Sequence, residues 1–318
     1  CHRANAASYR AIVDDLEDLA GACVLGVTAT PERTDGQPLG DVFESLVLGP
    51  AMAELQASGH LVPIRTYSIP GADLSGARLS RGDFVAADVA AAMDRPKLVG
   101  SVVDHYLRLA PGRRGIVYAS SVEHAHKIAA QFSLRGVASA VVTGETDKDE
   151  RRRMFESLGS GPLRVLVNYA VAIEGVDVPE VSYIGLARAT ASLVVYLQAI
   201  GRGARPALGK ADLVVCDHAG NASERFGLAE QDRAWTLASS SRGPGGARPE
   251  VLAITTCAEC LAAWSREESG DACPRCGVEP ETVRRRPLRV VAGQLVRITE
   301  AMLVEDRRER LKAIPPRP

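Results

Sequence analysis

Between residues 97 and 217 continuous apolar runs alternate with amphipathic stretches. A helix over 97–109 precedes the run Gly115-Ile116-Val117-Tyr118-Ala119, and a helix at about 121–135, closed by Gly136, precedes a strand from Ala138 to Thr143. A charged helix at 147–158 follows, then strands Leu163 to Asn168 and Val181 to Leu186, a helix over 192–201 and a strand from Ala211 to Asp217. Strands apolar on both faces and separated by helices of this length predict α/β architecture with a parallel sheet covered on both sides.

The flanks are weaker in pattern. Tyr9, Ile12, Val13, Leu16 and Leu19 recur at a helix period within residues 4–19, and Ala22 to Val27 reads as a buried strand. That strand runs into the polar loop Thr28-Ala29-Thr30-Pro31, the kind of strand exit where open α/β sheets place ligands. A short helix at 51–59 ends on Gly59, and Leu61 to Ser68 reads as another strand. Residues 69–96, rich in Gly, Ala, Ser and Asp with a weak helix at 84–93, read as a connector between two lobes. The Ser, Gly and Pro of 239–250 mark a linker, beyond which 251–280 reads as a separate small unit and 281–318 as a tail.

With 318 residues, 46% of them apolar and 24% charged, the chain has material for two or three domains with real cores. It contains no apolar run near the roughly 18 residues of a membrane span, and no charged-then-apolar leader, so a cytoplasmic location without membrane association is expected. The opening Cys1-His2-Arg3-Ala4 lacks a Met and leads directly into a helical pattern, which reads as a cut within a longer protein. A net charge of -1 assigns any nucleic-acid binding to local basic patches, and 4% aromatics argues against recognition by base stacking.

The most specific chemical signal is Cys257-Ala-Glu-Cys260 with Cys273-Pro-Arg-Cys276-Gly277. Two such pairs present four thiolates to a tetrahedral Zn²⁺, with Gly277 freeing the backbone at one turn; two local disulfides are the alternative. Cys1, Cys23 and Cys216 stand alone and read as small core residues. A second signal is Gln198-Ala-Ile-Gly201-Arg202-Gly203-Ala-Arg205-Pro206. A helical turn would set both guanidiniums on one face, where planar forks suit a phosphate chain and the glycines allow close approach; a solvated helix end is the plainer reading. A third is Glu174-Gly175-Val176-Asp177-Val178-Pro179, where the Asp177 carboxylate could accept from a ribose hydroxyl or hold an arginine, or simply form a turn. Residues 281–318 carry 10 Lys/Arg against 5 Asp/Glu, either a backbone-contacting patch or a solvated helix face.

Together these motifs resemble those of the superfamily 2 DEAD/DEAH-box helicases, over about residues 1–220. Cys1-His2-Arg3-Ala4 resembles the end of that family's Asp-Glu-x-His box, Thr28-Ala29-Thr30 its Ser/Thr-Ala-Thr motif, Glu174 to Pro179 its fifth motif and Gln198 to Arg205 its sixth. The run Asp217-His218-Ala219-Gly220-Asn221 and the four-cysteine unit are most similar to bacterial RadD-like repair helicases. The resemblance implies a RecA-like C-terminal lobe at 97–238, a remnant of a first RecA-like lobe at 1–68 and a zinc ribbon at 251–280. It implies that Arg205 is an arginine finger for the γ-phosphate of ATP, held with Mg²⁺, and that Arg202 is a second phosphate contact. Gln198 and His2 would lie near the attacking water, and Gly175, Asp177, Thr28 and Thr30 would serve the nucleotide or link the lobes. It also implies single-stranded or forked DNA as partner, with Thr143-Gly144-Glu145, Asn168 and Arg188-Ala189-Thr190 as backbone contacts, and a repair protein at the zinc unit.

The departures are as informative. No Gly-x-x-x-x-Gly-Lys-Ser/Thr loop occurs, nor the Asp and Glu of the second motif, so these residues alone are expected not to hydrolyse ATP. The function implied is therefore the C-terminal part of an ATP-dependent DNA helicase or translocase. The alternatives are a duplex-DNA translocase subunit of a restriction or remodelling system, and a non-catalytic zinc-ribbon module that binds nucleic acid.

Overall fold

Among the described residues six parallel strands form one sheet, in the spatial order 64–68, 213–217, 183–187, 115–119, 165–168 and 139–142. The computed structural model describes residues 7–18, 24–33, 38–69, 74, 76–80, 82–93, 96–171, 177–238 and 254–279. Three helices, α1 (Ala7–Asp18), α2 (Met52–Ala57) and α3 (Ala86–Met93), precede α4 (Pro96–Leu109), with β1 (Ile64–Ser68) and the short strands β2 (Leu79–Ser80) and β3 (Asp83–Phe84) among them. The regular alternation then runs β4 (Gly115–Ala119), α5 (Val122–Leu134), β5 (Ser139–Val142), α6 (Lys148–Gly159), β6 (Val165–Asn168), β7 (Tyr183–Ala187), α7 (Leu193–Gly203) and β8 (Leu213–Asp217).

The expected parallel α/β sheet is present, and its strands are apolar on both faces because both are covered. One face packs Ile116, Leu166 and Ile184 against α6 and α7 residues such as Leu158, Tyr196 and Ile200. The other packs Val117, Val167 and Val214 against α4 and α5 residues such as Val102, Tyr106, Ile128 and Phe132. Local signals set the helix starts: Ser121, Asp147 and Ser192 each accept a backbone N–H in the first turn that follows. Gly203 has a packing role in place of the ligand approach expected of it, since a Cβ there would lie 2.6 Å from Leu213 Cδ1 and 3.0 Å from Ile184 Cγ1. Its absence lets α7 settle onto β7 and β8.

Three expectations need correction. Residues 24–27 are not a buried strand: they pair with no strand among the described residues, and Leu25 and Val27 are 85% and 80% exposed. An apolar run becomes a strand only where a neighbouring strand supplies hydrogen bonds, and among the described residues none lies beside it. Strand β1, expected with the leading lobe, instead pairs with β8 in register from Ile64↔Leu213 to Ser68↔Asp217 and belongs to the main sheet. The cysteine unit is not separate either. Its hairpin, β9 (Ile254–Thr256) with β10 (Ala263–Ser265), is followed by α8 (Arg266–Ser269) and docks on the β1 edge. Ser68 N donates to Leu261 O at 3.1 Å, Arg275 lies 4.9 Å above the Tyr67 ring, and Trp264 is buried in the core shared with α4 and α5.

The linker at 239–250 and the basic tail lie outside the described residues. No helix among those described is long and apolar enough to cross a membrane.

Candidate functional site

The glutamine and two arginines of the sixth motif fall on and just beyond α7. Gln198 and Arg202 are one turn apart on the helix, but Arg205 is not on it, contrary to the expectation of one shared face. Pro206 disfavours helical backbone at the preceding residue, so the helix ends at Gly203, with the Ala204 N–H bonded to Gly201 O. Arg205 projects from this exit and pairs with Asp177, which the loop after β6 supplies. The side chains are 43% and 74% exposed, so the pair sits in solvent. Lys210 fixes the two loops together: its ammonium donates to Pro179 O at 2.8 Å and to Arg205 O at 2.7 Å. Burial, opposed by Glu180, lowers its pKa to about 8. The charge of Arg202 acts on the phenol of Tyr118, which burial drives upward.

The exit of α7 lies at the edge where the strands begin, with Gly203 against Ile184 and Leu213 and Ala204 O accepting from Val62 N, so Arg205 belongs to that edge. At the edge where they end, Tyr118, Asn168, Leu186, Arg188, Thr190 and Asn221 line a small pocket. Asn168 Oδ1 accepts from Val171 N at 3.1 Å, across Ala170, which has a left-handed φ of 63°. Behind the pocket lies a buried acceptor. Asp217 receives Ala222 N at 2.7 Å, Ala219 N and Asn221 Nδ2 at 3.1 Å each, and Ser68 Oγ at 3.2 Å. Burial raises its pKa to about 6 against the lowering effect of those donors. Asn221 carries the order outward, since its Nδ2 also donates to Arg188 O and its Oδ1 accepts from Thr190 N, each at 3.0 Å. Beside it, buried His218 stacks on His105 with centroids 5.2 Å apart; burial and then the charges of His105 and His124 lower its pKa to about 3.

Sequence reasoning missed Asp83 altogether. This connector residue accepts from Arg188 Nη2 at 2.7 Å, Thr190 Oγ1 at 2.9 Å and Ala191 N at 2.7 Å. It lies 105 residues from Arg188 in sequence, and no local pattern marks it. Thr28 and Thr30 form a turn in which Thr30 N donates to Thr28 Oγ1 at 3.1 Å, with Thr30 buried. His2 and Gly175 lie outside the described residues.

The four cysteines converge as expected, with all four Sγ atoms within 4.8 Å of one another. Cys257–Cys276 and Cys260–Cys273 are each 3.6 Å apart, close to the edge of about 3.8 Å that a tetrahedron with 2.3 Å Zn–S bonds requires. The two turns repeat each other. Cys257 N donates to Ala262 O and Cys273 N to Val278 O, and Leu261 N and Gly277 N close back on Cys257 O and Cys273 O. Leu261 therefore adopts the left-handed φ of 63° that Gly277 adopts at 74°. The donor set fits Zn²⁺.

Comparison with known proteins bears on the fold. Residues 99–207 match the helicase conserved C-terminal domain. A 51.5 kDa protein of a Lactococcus phage (isolate 7-9) is 29% identical over 87% of this chain and 59% of its own. A Saccharomyces cerevisiae protein named as the ATP-dependent helicase IRC3 is 27% identical over 64% of this chain and 31% of its own. A fragment structure assigned to an HsdR subunit of a type I restriction enzyme from Vibrio vulnificus superposes with a TM-score of 0.54 at 22% identity, over 69% of this chain and 43% of that one. That superposition establishes the fold. The chain spans 59% and 31% of the lengths of the two curated relatives.

Proposed function

We propose, from the premise that residues 99–207 make this chain a member of the superfamily 2 helicases, that it supplies the second motor lobe of an ATP-dependent DNA helicase or translocase. In this reading Arg205 is the finger that meets the terminal phosphoryl group of ATP held with Mg²⁺ on a preceding lobe, and Arg202 is a second phosphate contact. The observation that carries it is the pairing of Arg205 with Asp177 at the helix exit. The guanidinium is aimed outward, charged and only loosely held, as a group delivered to a ligand on another body must be.

Phosphoryl transfer relies on positioning and charge neutralisation, and an arginine finger contributes about 10³–10⁵ in rate. Lys210 holds the backbone of Arg205 against the Asp177 loop, so the fork starts from a defined place. Gln198, one turn before Arg202 on α7, would orient the attacking water. The edge where the strands end, with Asn168, Arg188 and Thr190, is assigned to the nucleic-acid backbone. The four cysteines hold Zn²⁺ as a structural ion that braces β1, since Cys257 and Cys273 are buried in the same core as Tyr67.

The test is to join this chain to a lobe carrying the phosphate-binding loop and to measure ATP turnover with and without single-stranded DNA. DNA-stimulated turnover that Arg205→Ala abolishes, with ATP binding retained, is the expected result. Unchanged turnover in that variant removes the assignment.

A further inference from the structure

We infer that the Arg188 guanidinium, the Thr190 hydroxyl and the Ala191 amide form a phosphodiester subsite, which Asp83 of the connector occupies until a nucleic-acid backbone replaces it. The inference rests on the assignment of the strand-end edge to nucleic acid and gives that edge a specific contact and a gate.

The three groups converge on one carboxylate from two directions. Arg188 Nη2 meets Asp83 Oδ2 at 2.7 Å, while Thr190 Oγ1 and Ala191 N meet Oδ1 at 2.9 and 2.7 Å. A phosphodiester resembles a carboxylate in the properties this cradle reads: one negative charge shared by two terminal oxygens, each able to accept more than one hydrogen bond. Arginine, hydroxyl and main-chain N–H at the start of a helix are the donors that proteins use for such oxygens.

The cradle owes its shape to the lobe and not to its present occupant. Asn221 fixes Arg188 through its carbonyl and Thr190 through its N–H, and Asn221 is itself held by buried Asp217. Ser192 N donates to Thr190 Oγ1 at 3.0 Å, which orients the hydroxyl toward Asp83. All of these contacts survive if Asp83 leaves.

The occupant, by contrast, sits on a weak element. Strands β2 and β3 have two residues each, and a two-stranded hairpin this short depends on its few anchors to the rest of the chain. Beyond Asp83 itself, the hairpin is held by Phe84, which packs in a small cluster with Val89, Met93, Ala189 and Ala219 and lies 5.5 Å below the Arg225 guanidinium, and at its base by exposed Arg78, whose N, Nε and Nη2 donate to Asp88 of α3 at 2.8, 3.0 and 3.0 Å. Asp83 is 17% exposed and Arg188 21%, so an exchanging anion has access. The position also separates this subsite from Arg205, which leaves α7 beside the start of the sheet, where Val62 N donates to Ala204 O at 2.9 Å.

A tethered anion in the cradle lowers the population competent for nucleic acid, and its removal raises apparent affinity by the inverse of that population. The test uses the 318-residue chain, a fluorescein-labelled oligothymidylate and a salt series. Asp83→Asn is expected to bind about tenfold more tightly than the wild type, and Asp83→Glu to remain close to it. Arg188→Gln in the Asp83→Asn background is expected to cancel the gain and to reduce the slope of log K on log salt by about 0.7, the share of one phosphate on a single strand. Should Asp83→Asn unfold, amide exchange in the wild type decides: the oligonucleotide is expected to speed exchange at residues 79–84, and unchanged exchange there overturns the inference. Wild-type binding that Asp83→Asn does not strengthen overturns the inference alone. No binding by either protein overturns it together with the nucleic-acid assignment beneath it. A gain for ATP in place of the oligonucleotide also overturns it, by making the cradle a nucleotide site.

Discussion

The two edges of the sheet hold their arginines in opposite ways. Arg205, where the strands begin, touches one exposed carboxylate and is 43% accessible, whereas Arg188, where they end, is backed by a chain of buried hydrogen bonds from Asp217 through Asn221. An ion pair in water contributes little because solvent competes for both partners and long side chains lose rotamer freedom. A buried, charged acceptor with several donors is costly to disturb, because every donor left behind loses its partner. The first arrangement suits a group that must leave its partner for a ligand on another body. The second suits a surface whose shape must persist while ligands come and go.

The largest effect expected from this contrast separates activity from stability. In a chain joined to a nucleotide-binding lobe, Arg205→Ala is expected to lower turnover by about 10³–10⁵ while changing the unfolding free energy by less than about 1 kcal/mol. Turnover assays and denaturant titration on the same preparation check both halves. Asp217→Ala is expected to do the reverse in order of severity, lowering stability by about 3 kcal/mol because Ala219 N, Ala222 N, Asn221 Nδ2 and Ser68 Oγ lose a shared acceptor. A smaller loss than for Arg205→Ala in the same titration would break the contrast.

A third effect appears as pH dependence at the strand-end edge. His218 is neutral in the folded chain, with its pKa lowered to about 3, whereas an unfolded histidine titrates near 6.5. The unfolded chain binds the extra proton, so this contribution is complete above about pH 6.5 and is lost as pH falls toward 3. Asp217 and Glu230, raised to about 6 and about 7, act in the opposite sense: their ionised forms are disfavoured in the fold, and protonation at lower pH relieves that cost. Replacement of His218 isolates its share. Between pH 7 and pH 5, His218→Phe is expected to gain about 2 kcal/mol relative to the wild type, as measured by denaturant unfolding at each pH. Phenylalanine keeps an aromatic ring against His105, so packing changes little with pH.

What the sequence discloses divides along the same line. Gly115 to Ala119 was legible to the residue because a fully buried strand is apolar at every position. The cysteine spacing was legible because two Cys-x-x-Cys turns can bring four thiols to one point, as they do here. The shape of the stretch from Gln198 to Arg205 was not legible: the end of α7 depends on Pro206 and on the contact of Gly203 with Leu213 and Ile184. Strand β1 was legible as a strand, yet its place beside β8 is a pairing across about 149 residues, as the Ser68–Asp217 bond shows. Asp83 and Lys210 were not legible at all. Each acts through side-chain contacts with loops that local periodicity does not describe, and a single aspartate in a Gly- and Ser-rich segment has no pattern to distinguish it.

The smallest expected effect is the most discriminating for the exposed edge. If Asp177 is a resting partner that Arg205 leaves when ATP is present, Asp177→Ala should cost less than about 1 kcal/mol of stability, since the carboxylate is 74% exposed and Val178 beside it keeps its place in the core. Its effect on turnover in the joined chain should then be far smaller than that of Arg205→Ala, because the guanidinium and the Lys210 bonds to Pro179 O and Arg205 O remain. If instead the ion pair itself aims the fork during the reaction, Asp177→Ala and Arg205→Ala should fall together and the double variant should be no worse than either, since residues acting as one unit are not additive. A double-mutant cycle on turnover, read beside one on stability, distinguishes a parked arginine from a permanently aimed one.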